Sequence, residues 1–145
     1  MKITAILREN ESKVKWICLF LFVIYILIVL RLTVFRFVTP FEQPQINLIP
    51  FVDLVHVYMN AGIYSFLWLF LGNIGWFMPF GFLMPILLKK SSFLKIVLMG
   101  FSFSFAIETT QFFSRQGVAE LDDLILNTFG VIIGYLIFKL FRLWQ

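Results

Sequence analysis

Charge is scarce in this sequence. Of 145 residues, 12 are Lys or Arg and 8 are Asp or Glu, together 14% of the chain. Soluble domains carry nearer a quarter charged residues. A chain that is 61% hydrophobic, with a mean hydropathy of +0.94, has more apolar surface than one small core can hide. An ordinary water-soluble domain is therefore excluded. A single cysteine, Cys18, allows no internal disulfide, and the redox compartment cannot be read from it. The single histidine, His56, stands with carboxylates at no spacing that zinc motifs use, so no metal and no cofactor is expected. Gly-rich phosphate loops and Ser-His-Asp patterns of conventional spacing are missing. Internal repeats are missing too, which counts against a small transporter working by alternating access.

Phenylalanine is abundant: 20 residues, scattered through the apolar runs. Lipid solvates such side chains and water does not, so these runs predict helices crossing about 30 Å of hydrocarbon. The net charge of +4 would raise nucleic acid as a partner for a soluble protein. Here the positive charges gather at the ends of apolar runs, and orientation in a bilayer explains them better. No nucleic-acid partner is expected.

Four spans are predicted, at about 15–38, 65–88, 93–113 and 123–141, in one all-α membrane domain. Lys2, Arg8, Lys13 and Lys15 precede the first run, but no small-residue cleavage site follows it, so the first helix reads as retained. With Lys89, Lys90, Lys95, Lys139 and Arg142 they put nine of the twelve basic residues on one side. Six of the eight acidic residues fall on the other. The positive-inside rule then gives a multi-pass protein of the plasma membrane with both termini cytoplasmic and two outer loops. In the first outer loop, Phe51, Leu54, Val55, Tyr58 and Met59 form an apolar stripe opposite Asp53, His56 and Asn60. An amphipathic helix over about 50–61, too short to span, is expected to lie on the outer leaflet.

Charged and amide side chains inside spans are costly and are functional candidates by default. Arg31, Asn73, Glu108 and Asn127 all lie roughly 21–22 Å from the cytoplasmic ends of their helices at 1.5 Å per residue. Ser104, Glu108, Gln111 and Arg115 form one stripe on the third helix, and Asp123, Asn127, Gly130 and Gly134 one on the fourth. A polar cluster walled by all four helices and open to the outside follows, with Arg31 and Arg115 as the available partners of Glu108. The competing reading is that polar residues merely join helices by hydrogen bonds. For Asn73 the two readings are about even. For Gly72, Gly75, Gly130 and Gly134 close helix packing is the better reading, and Pro79 and Pro85 are expected to kink the second helix.

The strings Asn47-Leu-Ile-Pro-Phe51, Gly72-Asn73-Ile-Gly-Trp-Phe-Met-Pro79-Phe-Gly81, Glu108-x-x-Gln111-x-x-x-Arg115 and Asp122-Asp123-x-x-x-Asn127-x-x-Gly130 resemble the VanZ-like family over roughly residues 47–134. The segment Gly117–Leu121 departs from the pattern where members vary, and it would tune ligand access. The resemblance implies an integral membrane protein of mainly Gram-positive bacteria, from a family whose eponymous member is associated with teicoplanin resistance. It implies little about mechanism.

Two functions are weighed. In the first, the cavity receives a membrane lipid, a lipid-linked ligand or a lipoglycopeptide. Its ligand-binding residues would be Arg31, Asn47, Asn73, Glu108, Gln111, Arg115, Asp122, Asp123 and Asn127, with the arginines meeting a phosphate or carboxylate. In the second, the chain is an intramembrane hydrolase or transferase acting on a lipid-linked precursor, with Glu108 and Asp123 as acid and base.

Overall fold

The computed structural model describes residues 2–35, 39–88 and 91–143. Four helices carry the fold: α1 (Lys2–Thr33), α2 (Val52–Leu87), α3 (Phe93–Ser114) and α4 (Leu121–Leu143). Each contains a stretch long and apolar enough to cross a membrane: Ser12–Thr33, Val52–Leu87, Phe93–Ser114 and Leu121–Arg142. The all-α, four-span architecture read from composition is the observed one.

The ends differ from expectation in ways that matter. α1 stops at Thr33, earlier than the expected 38, and its last turn closes with Val34 and Phe35 N–H donating to the Leu30 carbonyl at 2.9 Å. The expected continuation at 36–38, with Arg36, lies outside the described residues, as do Lys89 and Lys90. α3 begins after Ser92, whose hydroxyl accepts from Lys95 N–H at 3.3 Å, the usual N-cap exchange. α4 begins at Leu121, two residues before the expected start. Asp122 and Asp123 thus fall in its first turn, where unpaired N–H groups favour negative charge.

α2 joins the expected loop helix to the expected second span. At 36 residues it is longer than a bilayer needs, and it is divided at Gly62. Gly62 has φ 79° and ψ 178°, a region that residues with a Cβ essentially never occupy. A Cβ there would meet nothing within 4 Å, so glycine serves the backbone turn and not a close contact. Backbone dihedrals stay helical through Pro79 and Pro85. The non-helical position inside α2 is Gly62, just past the end of the expected loop helix. In the segment before it, Leu54 is buried, while Val55, Tyr58 and Met59 are exposed, Met59 at 74%.

Packing is closest between α2 and α4. A Cβ on Gly130 would lie 2.2 Å from the Ile74 carbonyl oxygen, one on Gly134 2.0 Å from that of Met78, and one on Gly81 2.0 Å from that of Val131. Backbone therefore rests on backbone along this seam, as small residues permit in membrane helices. Gly72 and Gly75 do not take part, since nothing lies within 4 Å of their Cβ positions. They sit on an open face of α2 between Trp68 and Trp76. The core beneath joins Val29, Phe77, Phe80, Ile96, Ile107, Val131 and Tyr135 from all four helices. α1 contributes only Val29 to the buried set among its described side chains, so it is the least enclosed helix.

Two three-residue strands, absent from the sequence reading, tie the loops together. β1 (Gln45–Asn47) pairs in parallel with β2 (Val118–Glu120), Ile46 opposite Ala119.

Candidate functional site

The polar residues of three helices meet in one place. A cavity of about 140 Å³ is lined by Asn73 and Trp76 from α2, Glu108 and Gln111 from α3, Asp123 and Asn127 from α4, and Val29, Leu32 and Thr33 from α1. Asn73, Gln111 and Asp123 also line a larger space of about 660 Å³ toward the loops, with Asp53, His56, Gln116 and Glu120. The two form an inner chamber and a vestibule sharing one wall.

Hydrogen bonds hold this wall. Asn73 Nδ2 donates to Asp123 Oδ1, joining α2 to α4. Asn127 Nδ2 donates to Ser104 Oγ at 2.9 Å, joining α4 to α3 in a fully buried contact. Gln111 Nε2 donates to the Thr33 carbonyl at 3.2 Å, fixing the end of α1. Glu108, 7% exposed, accepts from Glu120 N–H at 2.9 Å and so fastens α3 to β2. Interhelical joining and cavity lining are thus performed by the same side chains.

Both arginines depart from expectation. Arg31 is exposed, donates from Nη1 to the Phe35 carbonyl, and is not among the cavity-lining residues. The depth argument put it at the right level but on the wrong face. Val29 and Thr33, one turn apart, point inward, and Arg31, two residues from each, is roughly 200° round the helix from them. Arg115 ends α3 as a C-cap with φ 57° and lies outside the helical stripe. Its Nη1 donates to the Glu42 carbonyl at 3.0 Å and its own carbonyl accepts from Phe41 N–H at 2.8 Å. It clasps the loop before α2 and does not line the chamber.

Two further candidates act through neighbours. Asn47 Nδ2 donates to Asp53 Oδ2, and its Oδ1 accepts from Ile49 N–H at 3.1 Å, an Asx turn that orients a vestibule carboxylate. Asp122 Oδ1 accepts from Phe51 N–H at 2.7 Å, holding the start of α2 against the start of α4. The sequence analysis did not count Asp53, His56, Thr33 or Glu120 as site residues. The polar face of the loop helix was the available signal for the first two. For Thr33 and Glu120 there was none, because their placement depends on where α1 stops and on a three-residue strand pair. Among the described residues, no group of three or more His, Cys, Asp or Glu is arranged to hold a metal ion.

The VanZ/LLP1 family model matches residues 22–142, most of the chain. The chain belongs to this family. The matched span of this VanZ/LLP1 protein takes in every cavity-lining residue, from Val29 to Asn127, and the whole α2–α4 seam. Comparison with curated proteins and with solved structures gives no match.

Proposed function

We propose that this VanZ/LLP1 membrane protein binds the polar head of a lipid or lipid-linked ligand in the chamber between its helices, and that it contributes in this way to resistance against teicoplanin-type glycopeptides. One observation carries the reading: Asn73, Glu108, Gln111, Asp123 and Asn127, drawn from three helices, all border one cavity. Polar groups that only glue helices need no shared space, whereas these five converge on one. A ligand whose tail stays in the bilayer loses little of its lipid solvation when its head enters such a chamber. The loop helix before Gly62, with Val55, Tyr58 and Met59 exposed, suits the outer interface beside the vestibule mouth. The test is expression in a susceptible Gram-positive host. The inhibitory concentration of teicoplanin is expected to rise more than that of vancomycin, and equal shifts, or none, would overturn the resistance role.

The chamber faces the ligand's side of the membrane only if both termini are cytoplasmic, as the basic residues favour. With Cys18 replaced by Ser, a Gln43→Cys variant is expected to react with a membrane-impermeant maleimide on intact cells, and a Ser91→Cys variant only after lysis. The reverse labelling would invert the orientation.

A second reading, turnover, has one observation in its favour. Glu108 and Asp123 border the same small cavity, as an acid and a base must. An enzyme changes the mass of the lipid it meets, whereas a binder leaves it intact.

A further inference from the structure

The inner chamber is too small for a whole ligand. Its volume of about 140 Å³ falls below the roughly 300–1,000 Å³ of ordinary ligand pockets, so it holds a head and the remainder must leave through an opening. One opening leads to the vestibule, past Asn73, Gln111 and Asp123. A second leads sideways. Of the chamber's described lining residues only Leu32 on α1 and Trp76 on α2 are exposed, at 50% and 48%. Trp76 stands about 18 Å along α2 from Leu88 at 1.5 Å per residue, a level inside the hydrocarbon. The side opening therefore meets lipid chains and not water.

Outside that opening α2 is hollowed. Asn73 and Trp76 line the chamber and also a notch of about 520 Å³ that takes in Trp68, Gly72 and Gly75. Both glycines have helical backbone and nothing within 4 Å of their Cβ positions, so neither a turn nor a close contact requires them. Glycine weakens a helix relative to alanine, and what this pair supplies is the space of the notch. The chamber it adjoins has room for a partner as well. On its wall Gln111 is 4% exposed, and its Oε1 is a buried acceptor without a hydrogen-bond partner. A rival groove of about 270 Å³, bordered by Phe105, Phe112 and Leu124, shares only Glu108 with the chamber, and that side chain is buried.

We propose that the ligand enters sideways from the bilayer between α1 and α2, its head reaching the chamber past Trp76 and one hydrocarbon chain settling in the notch between Trp68 and Trp76. The proposal rests on the lipid-binding reading above and adds the route and the seat of the tail. A water-soluble ligand would need the vestibule alone. A lipid uses both openings, with polar side chains toward the vestibule and Trp68, Leu71 and Trp76 around its chain. The least enclosed helix, α1, forms the other side of the opening and is the wall that yields as a head passes.

The experiment uses the full chain in nanodiscs of phosphatidylcholine, phosphatidylglycerol and glucosyl diacylglycerol, each with a photoactivatable diazirine in its acyl chains. After transfer to mild detergent, which strips loosely held lipid, the lipid still bound is counted by native mass spectrometry. Irradiation and peptide mapping then locate its chains. The parent is expected to retain lipid that cross-links within Trp68–Trp76. Gly72→Leu and Gly75→Leu, which fill the notch, are expected to lower retention roughly tenfold, within the range that overpacking a seat costs. Their melting should stay at or above that of the parent, because Leu is the better helix former. Ala106→Leu, on an exposed face of α3, is expected to retain lipid as the parent does. Cross-links that avoid Trp68–Trp76, retention that neither glycine variant lowers, or equal losses in all three variants overturn this inference and leave lipid binding standing. A parent that retains no lipid overturns both.

Discussion

Glu108→Gln is expected to abolish the proposed gain in teicoplanin resistance while the protein reaches the membrane in normal amount. The substitution keeps the side-chain volume. Its amide oxygen can still accept the Glu120 N–H that Glu108 Oε2 accepts at 2.9 Å, so the fastening of α3 to β2 survives. What disappears is the charge facing the chamber. Glu108→Ala is the contrasting variant: it leaves the Glu120 N–H without its acceptor and opens a void, at about 1–3 kcal/mol for the unpaired group alone. Melting in detergent should therefore fall for the alanine variant and stay near the parent for the glutamine variant. Yield and resistance are read on the same cultures. Full resistance in Glu108→Gln at parental yield would remove Glu108 from the ligand site and leave Asp53 and His56 in the vestibule as the stronger candidates.

The largest effect on stability is expected from Gly134→Ala. One methyl group there would lie 2.0 Å from the Met78 carbonyl oxygen and 3.0 Å from the Phe82 nitrogen. These are backbone atoms, which cannot rotate aside as a flexible side chain would. The two helices must separate, and the seam at Gly130 and Gly81 loosens with them. Overpacking usually costs about 1–3 kcal/mol, and the upper end is expected where backbone is the obstacle. Gly75→Ala, on α2, is the matched control, with nothing within 4 Å of the added carbon. Thermal melting in detergent should drop sharply for the first and not for the second. Equal melting of the two would mean that α2 and α4 do not pack through these glycines.

The helices were legible because lipid imposes a simple rule: runs of apolar residues long enough to span must be helical to satisfy their backbone. The level of the site was legible too, since Asn73, Glu108 and Asn127 border one cavity as their depths implied. Faces were harder. Arg31 shares the level and misses the cavity by half a turn of α1, a detail that depends on how the least enclosed helix leans on its neighbours. Glycines divided for a similar reason. Gly72, Gly75, Gly130 and Gly134 look alike in the sequence, yet of these only the last two face another backbone. The strand pair was illegible, because three residues carry too little pattern to stand out from a loop. Its effect was visible only as a departure at Gly117–Leu121, the segment that the structure folds into β2 and the start of α4.

The pairing of β1 with β2 also dictates an order of assembly. Phe51 N–H and its acceptor Asp122 are 71 residues apart, and Asn73 and its partner Asp123 are 50 apart. During synthesis the first two spans emerge with β1, Asn73 and the vestibule histidine long before anything exists for them to meet. Contacts of such sequence separation form late, after the chain between them has been laid down. The chamber is thus completed by α4, the last of these four helices to be synthesised. A chain cut short before α4 would present the bilayer with the inward amide of Asn73 and an unroofed groove, the kind of surface that membrane quality control removes.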